Sequence, residues 1–102
     1  MKKRDEIYAK IKQRRWQMLI HSCLYYNMNE NIVSDATWSR WAIELRDLQD
    51  QYPDISRDVE FAEYFQGWTG SSGFDLPINE DWIYEKANRI LYNYYNEHGN
   101  KN

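Results

Sequence analysis

The sequence is poor in residues that cross-link a chain or break a helix. Cysteine occurs once, at position 23 of 102 residues, so no internal disulfide can form, and a reducing compartment is expected. Glycine occurs four times and proline twice, which leaves room for long helices. No apolar run approaches the roughly 20 residues that cross a bilayer. The charged N-terminus lacks the apolar stretch of a signal peptide. We therefore expect a cytoplasmic protein without a membrane partner.

Aromatic residues, in contrast, are abundant. The chain holds five Trp, nine Tyr and three Phe. Trp and Tyr bury large apolar areas but keep a polar group that prefers a partner or water. This composition predicts a core edged by half-exposed rings, which can stack on a ligand or receive a partner.

The net charge is −3, but its distribution is uneven. Basic side chains outnumber acidic ones within residues 1–16, and the rest of the chain is acidic. A basic first helix can contact nucleic-acid phosphates, and Lys10, Arg14 and Arg15 are the candidates for such contacts. A solvated helix face explains the same charges, and the overall acidity of the chain favours that interpretation.

Apolar periodicity predicts two long helices in the first half of the chain. The first covers residues 5–28, and the second begins at Ser34 or Asp35 and ends before Pro53. The apolar stripe of the second helix contains Trp38, Trp41, Leu45, Leu48 and Tyr52.

Two shorter helices are predicted in the second half. One of about nine residues is capped by Ser56 and buries Val59, Ala62 and Phe65. An ordered glycine-rich loop at residues 67–77 packs Trp68 and Phe74 onto the bundle. Asn79 caps the last helix, whose inner face is formed by Ile83, Ala87, Ile90, Leu91 and Tyr94. We therefore predict one all-α domain over residues 1–102, with an antiparallel hairpin at 5–52 and two further helices within 53–98.

Residues 25–54 carry a resemblance. The segment runs from Tyr25-Tyr26 through Ser34-Asp35-Ala36-Thr37-Trp38-Ser39 to Tyr52-Pro53-Asp54. It resembles the opening helical hairpin of NAD-dependent DNA ligases, in which Tyr-Tyr or Tyr-His precedes a short loop and Pro-Asp-x-x-Tyr-Asp. The similarity covers about residues 15–54, and the chain also looks like small ligase-related proteins of phages and prophages of Gram-positive bacteria.

The resemblance implies a candidate ligand site. In the ligases this hairpin closes over the nicotinamide mononucleotide (NMN) half of NAD, with tyrosines stacking on the ring and aspartates bonding the ribose and amide. Tyr25, Tyr26 and Asp35 match the pattern, and Trp38 replaces its Tyr with another stacking surface. Ser39 replaces the second Asp and so removes a charged acceptor.

The same comparison of motifs predicts that the chain is not an enzyme. The adenylated lysine of the ligases lies in Lys-x-Asp-Gly, and this sequence contains no such motif. A metal site is not expected either. His21 and Cys23 are two positions apart on the predicted first helix, so their side chains diverge. No cofactor is required, although NMN or NAD can bind weakly if the ligase-like site persists.

Three functions remain open at this stage. The favoured one is a non-catalytic, phage-type interaction module that docks on a protein partner such as a host nuclease or defence enzyme. The second is a stand-alone module that binds NMN, NAD or another nucleotide through Tyr25, Tyr26, Asp35, Trp38 and Ser39. The third is a nucleic-acid accessory protein that uses Lys10, Arg14 and Arg15.

Overall fold

The computed structural model describes residues 2–71, 73 and 76–99. Within these ranges the chain is helical and contains no strand, which confirms the predicted all-α fold. The elements are α1 (Lys2–Met28), α2 (Asp35–Gln51), α3 (Pro53–Asp58), a 3₁₀-helix (Ala62–Phe65), α4 (Asp81–Tyr94) and a π-helical turn (Tyr95–Gly99).

The first helix is the central element, because α2, α3 and α4 all pack against it. It begins at Lys2, earlier than predicted, and ends at Met28. It ends there because Asn29 adopts a left-handed conformation, with φ 56°, that asparagine tolerates better than most residues. The Glu30 amide then donates to the Leu24 carbonyl at 2.8 Å. The buried apolar side chains of α1 are Ile11, Met18, Leu19, Ile20, Cys23 and Leu24.

The second helix starts as predicted, with Ser34 as its N-cap. The Ser34 hydroxyl accepts a hydrogen bond from the Thr37 amide at 3.1 Å, which satisfies one of the free donors of the first turn. Leu45 is fully buried, whereas Trp38 and Trp41 are half-buried. The aromatic residues of α2 therefore lie at the edge of the core.

The predicted third helix is wrong in its extent. The chain forms α3 from Pro53, which occupies a first-turn position where its missing amide costs nothing. Phe61 then takes a left-handed conformation with φ 71° and separates α3 from the 3₁₀-helix. Ser56 lies inside α3 and caps no helix. Val59 and Phe65 are nevertheless buried, as predicted.

The fourth helix differs from the prediction at two points. Its N-cap is Glu80 and not Asn79, and no side chain caps it. Ile83 and Ala87 are fully buried, but Ile90, which was predicted to face inward, is 41% exposed. Ile90 therefore lies outside the buried face of α4.

The glycine-rich segment packs on the bundle at several described positions. Trp68 is half-buried and meets Phe65 edge-on, with ring centroids 5.1 Å apart. Leu76 and Gly73 are buried, whereas the predicted anchor Phe74 lies outside the described residues. No helix in the described part of the chain is long and apolar enough to cross a membrane.

Candidate functional site

All five residues predicted for the ligand site line one pocket. The pocket has a volume of about 210 Å³ and lies where α1 ends and α2 begins. The predicted residues that line it are Tyr25, Tyr26, Asp35, Trp38 and Ser39. The structure therefore brings together every position of the proposed ligand site, although their roles stay a prediction.

The turn between the two helices shapes this pocket. Tyr25 and Tyr26 belong to the last turn of α1, and the left-handed Asn29 reverses the chain directly after it. The capped start of α2 then places Asp35, Trp38 and Ser39 on its first turns.

The two tyrosines form an exposed aromatic wall. Their ring centroids are 4.9 Å apart at an interplanar angle of 85°, an edge-to-face pair. Tyr25 is 50% exposed and Tyr26 is 41% exposed, so neither ring is a core residue. Adjacent residues of a helix face about 100° apart, so at most one of the two rings could point into the core, and the structure exposes both.

Trp38 takes part both in the core packing of α2 and in the lining of the pocket. It packs against the hydrophobic core as part of the α2 stripe, and it also lines the pocket. Asp35 is exposed in the first turn of α2, where its negative charge complements the helix dipole.

Ser22 is a pocket residue that sequence reasoning missed. It is completely buried, and within the described residues its hydroxyl has no hydrogen-bond partner. It lies one helical turn before Tyr25 and Tyr26, so the three- and four-residue spacing was a usable signal.

Gly73 packs closely against Ser22 and Trp38, two of the residues that line the pocket. A Cβ atom at Gly73 would overlap the Ser22 hydroxyl, and it would lie 2.7 Å from Ser22 Cβ and 3.3 Å from Trp38 Cζ2. Only glycine permits this approach of the loop to α1 and α2. The loop therefore supports Ser22 and Trp38 from behind.

Two titratable residues that were not predicted also line the pocket. His21 is half-buried and packs against Trp41 at a centroid distance of 5.6 Å. Burial lowers the pKa of His21 below its usual value, so the imidazole is neutral at pH 7. Glu30 lies at the rim, where its carboxylate accepts a hydrogen bond from the Tyr95 hydroxyl at 2.7 Å.

The predicted basic residues do not form one nucleic-acid surface. Arg15 is 1% exposed, so its assignment to a phosphate-binding surface is wrong. Arg14 is half-buried and forms an ion pair with Glu44 at 2.7 Å. Lys10 is half-buried.

The Arg15 guanidinium is instead part of the fold. It donates to the carbonyls of Ser56, Val59 and Glu60 at 3.0–3.1 Å. It also donates to Gln49 Oε1 and Ser56 Oγ. Burial lowers the pKa of Arg15 to about 10, so the group stays protonated at pH 7.

Metal chemistry finds no support in the described ranges, which contain no group of three or more His, Cys, Asp or Glu side chains placed to hold an ion. Cys23 is buried in the core. Burial raises the pKa of its thiol, which disfavours the reactive thiolate.

Comparison with known proteins supports a relationship to DNA ligases over part of the chain. The sequence is 29% identical over 63 residues to a DNA ligase of Mycoplasmopsis pulmonis, which is 62% of this chain and 8% of that ligase. It is 39% identical over 49 residues to a DNA ligase of Cellvibrio japonicus, which is 48% of this chain and 7% of that ligase. The chain thus matches less than a tenth of either enzyme. No protein-family profile matches the sequence. No solved structure matches it either.

Proposed function

We propose that this chain is a non-catalytic binding module whose pocket receives a single aromatic ring, with the nicotinamide ring of NMN or NAD as the favoured ligand. The observation that carries the proposal is that all five ligase-like positions line one pocket. The partial similarity to DNA ligases supports the same interpretation.

The size of the pocket favours a ring over a whole dinucleotide. Pockets that enclose drug-sized ligands measure about 300–1,000 Å³, whereas this one holds about 210 Å³. Tyr25 and Trp38 provide aromatic surfaces for stacking. The carboxamide of nicotinamide both donates and accepts hydrogen bonds, so it suits the exposed Asp35 carboxylate and Ser39 hydroxyl, which line the same pocket.

Binding is expected to be weak. Ser39 provides no second carboxylate where the ligase pattern has one, and a charged hydrogen bond contributes roughly 1.5–3 kcal/mol. The absence of Lys-x-Asp-Gly from this sequence supports a module that holds a ligand without transferring a nucleotide.

Titration of NMN followed by amide chemical shifts tests this proposal. We expect saturable binding near the millimolar range, with the largest shifts at the pocket. Tyr25→Ala should weaken binding several-fold because it removes part of the stacking wall. The matched control is Tyr92→Ala, which removes an exposed tyrosine from α4, away from the pocket. Unchanged spectra of the wild-type protein at NMN concentrations well above the millimolar range would refute the proposal.

A second function is supported by the exposure of the same wall. Tyr25 and Tyr26 form an exposed pair, and exposed tyrosines are enriched at protein interfaces. We propose as the alternative that a protein, in a phage-type setting a host nuclease or defence enzyme, docks here.

Competition distinguishes the two functions. If a protein is the partner, Tyr25→Ala will abolish its capture while Tyr92→Ala leaves capture intact. NMN will then compete with the protein only if the partner inserts a side chain into the pocket. Capture that is equal for both variants would contradict this alternative.

A further inference from the structure

A larger pocket, the α2–α3 pocket, lies at the C-terminal end of α2, away from the ligase-like positions. Its volume is about 480 Å³, within the range of about 300–1,000 Å³ that is usual for ligand sites. Its walls come from the last turn of α2, from α3, from the 3₁₀-helix and from the residues that follow it. Along the axis of α2 the two pockets are roughly 15–20 Å apart, and among the described residues they share no lining side chain.

Arg15 from α1 also lines this pocket, but its own donors are all used within the fold. The residue is 1% exposed. Its Nε donates to Gln49 Oε1 at 2.9 Å. One terminal nitrogen donates to the carbonyls of Val59 and Glu60, and the other donates to the carbonyl and the hydroxyl of Ser56. These bonds account for the five N–H groups of a guanidinium, so Arg15 acts on a ligand only through the groups that accept from it.

Two of these acceptors line the pocket and keep donors of their own. Gln49 accepts through Oε1, which fixes the plane of its side-chain amide, and within the described residues its Nε2 group has no hydrogen-bond partner. The Ser56 hydroxyl accepts from Arg15 at 2.7 Å, and its proton has no acceptor in the described part of the chain. Both residues are half-buried. A ligand that bonds to them must therefore offer acceptor oxygens.

The formal charges that line the α2–α3 pocket balance. Arg15 and Arg57 bring two positive charges, and Asp50 and Glu63 bring two negative charges. A free anion or cation therefore gains little from the field of the pocket. The carboxylates of Asp50 and Glu63 accept hydrogen bonds, so they suit N–H donors. An uncharged ligand with both carbonyl acceptors and N–H donors matches this set.

The remaining lining includes an aromatic and apolar surface. Phe65 is buried and Trp68 is half-buried, and their rings meet edge-on with centroids 5.1 Å apart. Pro53 and Ala62 add smaller apolar groups to the same pocket. Half-buried aromatic rings of this kind provide large contact areas for an apolar side chain of a partner.

The space continues beyond the α2–α3 pocket. A second cavity, of about 270 Å³, shares Gln66, Gly67 and Trp68 with it, so the two adjoin at these residues. No atom lies within 4 Å of the position that a Cβ atom of Gly67 would take. Another chain can therefore approach the backbone closely at this glycine. An elongated ligand fits this arrangement better than a compact one.

We propose that the α2–α3 pocket and the adjoining cavity bind an extended peptide segment of a partner protein. An apolar or aromatic side chain of that segment packs on Trp68 and Phe65, and its backbone carbonyls accept from Gln49 and Ser56. Peptide groups are uncharged and carry one donor and one acceptor each, as the lining requires. The segment is extended because the carbonyls of a helix are already bonded. This site is separate from the ligase-like pocket and does not depend on the function proposed for it.

The capped tripeptide acetyl-Ala-Phe-Ala-amide is a suitable probe, because it is uncharged and has free peptide groups on both sides of one ring. Titration into the intact protein, followed by amide chemical shifts, should give saturable binding with a Kd of about 1–10 mM. The largest shifts should occur at Gln49, Ser56 and Trp68, and not at Tyr25 or Asp35. Acetyl-Ala-Ala-Ala-amide should bind at least about fivefold more weakly, because it lacks the ring that packs on Trp68.

Gln49→Glu tests the donor while keeping the acceptor for Arg15. The carboxylate still accepts from the guanidinium, but a second oxygen replaces the amide N–H donors, so binding of the probe should weaken by about fivefold or more. Gln51→Glu is the matched control, because it makes the same charge change at an exposed position of α2 that is not among the lining residues. It should leave the affinity within about twofold of the wild type.

Three results would overturn this proposal. Absence of shifts at the α2–α3 pocket of the wild-type protein, at probe concentrations well above the expected Kd, would refute peptide binding. Equal affinities of the wild type and Gln49→Glu would refute the donation from Gln49 to a peptide carbonyl. Tighter binding of a short oligothymidylate than of the probe at the same residues would assign the site to nucleic acid instead.

Discussion

At the scale of single residues, the close approach of Gly73 to the pocket residue Ser22 leaves no room for a side chain. The glycine is buried, and a Cβ atom there would overlap the Ser22 hydroxyl and lie 2.7 Å from Ser22 Cβ. The hydroxyl itself has no partner among the described residues. A buried hydroxyl without a partner costs roughly 1–3 kcal/mol, so this contact is kept at the expense of stability.

Gly73→Ala should therefore lower the free energy of unfolding by about 1–3 kcal/mol through overpacking. Ser22→Ala should be neutral or mildly stabilising, because it removes the unpaired hydroxyl. In the Ser22→Ala background the cost of Gly73→Ala should be smaller by at least about 0.5 kcal/mol. Urea denaturation of the wild type, the two single variants and the double variant measures this coupling free energy. Additive effects of the two substitutions would show that the residues do not constrain each other.

The residue scale also shows what sequence could and could not predict about the site. Tyr25, Tyr26 and Asp35 were identifiable because the ligase pattern is a local sequence motif. The contact of Gly73 with Ser22 could not be predicted, because it joins positions far apart in the chain. Residues brought together by tertiary packing leave no spacing rule in the sequence.

At the scale of secondary-structure elements, Arg15 joins α1 to α3 and to the turn that follows. Its guanidinium donates to the carbonyls of Ser56, Val59 and Glu60, where the short helix ends. Free carbonyls at a helix C-terminus need partners, and here the preceding long helix supplies them. The basic residue predicted to contact nucleic acid is thus a tertiary cap.

Arg15→Lys should lower the free energy of unfolding by about 2–3 kcal/mol, because an ammonium cannot reach all of these acceptors. Arg40→Lys, which changes an exposed arginine on α2, should stay within about 0.5 kcal/mol of the wild type. Thermal and urea denaturation of both variants test the difference. Equal stabilities would mean that lysine and water satisfy the same carbonyls.

Arg15 also explains why the third helix was wrongly predicted. From the sequence, Ser56 was predicted to be the N-cap of the third helix. In the structure its hydroxyl instead accepts a hydrogen bond from the Arg15 guanidinium at 2.7 Å. Pro53 was interpreted as the end of the second helix, and it is also the first residue of the next. The other three helices were predictable because their apolar periodicity extends over many turns.

At the scale of the whole molecule, stability is linked to pH through the half-buried His21. Burial lowers the pKa of this imidazole below its usual value of 6.5. As the pH falls through 6.5, the unfolded chain takes up the proton before the folded protein does. The free energy of unfolding therefore falls between this pH and the lower pKa of the folded state.

His21→Gln removes this contribution because glutamine does not titrate. Between pH 7 and pH 5 the wild-type protein should lose more stability than the variant, as measured by urea denaturation at each pH. The carboxylates titrate in both proteins, so their contribution cancels in the comparison. Parallel pH profiles would show that the folded protein binds a proton at His21 as readily as the unfolded chain does.

The central position of α1 has a consequence for how such a chain can diverge. In the described part of the chain, α2 and α4 each pack along α1. The first helix therefore belongs both to the hairpin with α2 and to the packing of the second half of the chain. The turn from α1 into α2 and the start of α2 form most of the pocket, whereas α3, the loop and α4 cover the remaining surface of α1. The second half can therefore be exchanged or redesigned while the ligase-like hairpin keeps its geometry, provided that the new segment covers the same helix and brings a glycine to Ser22.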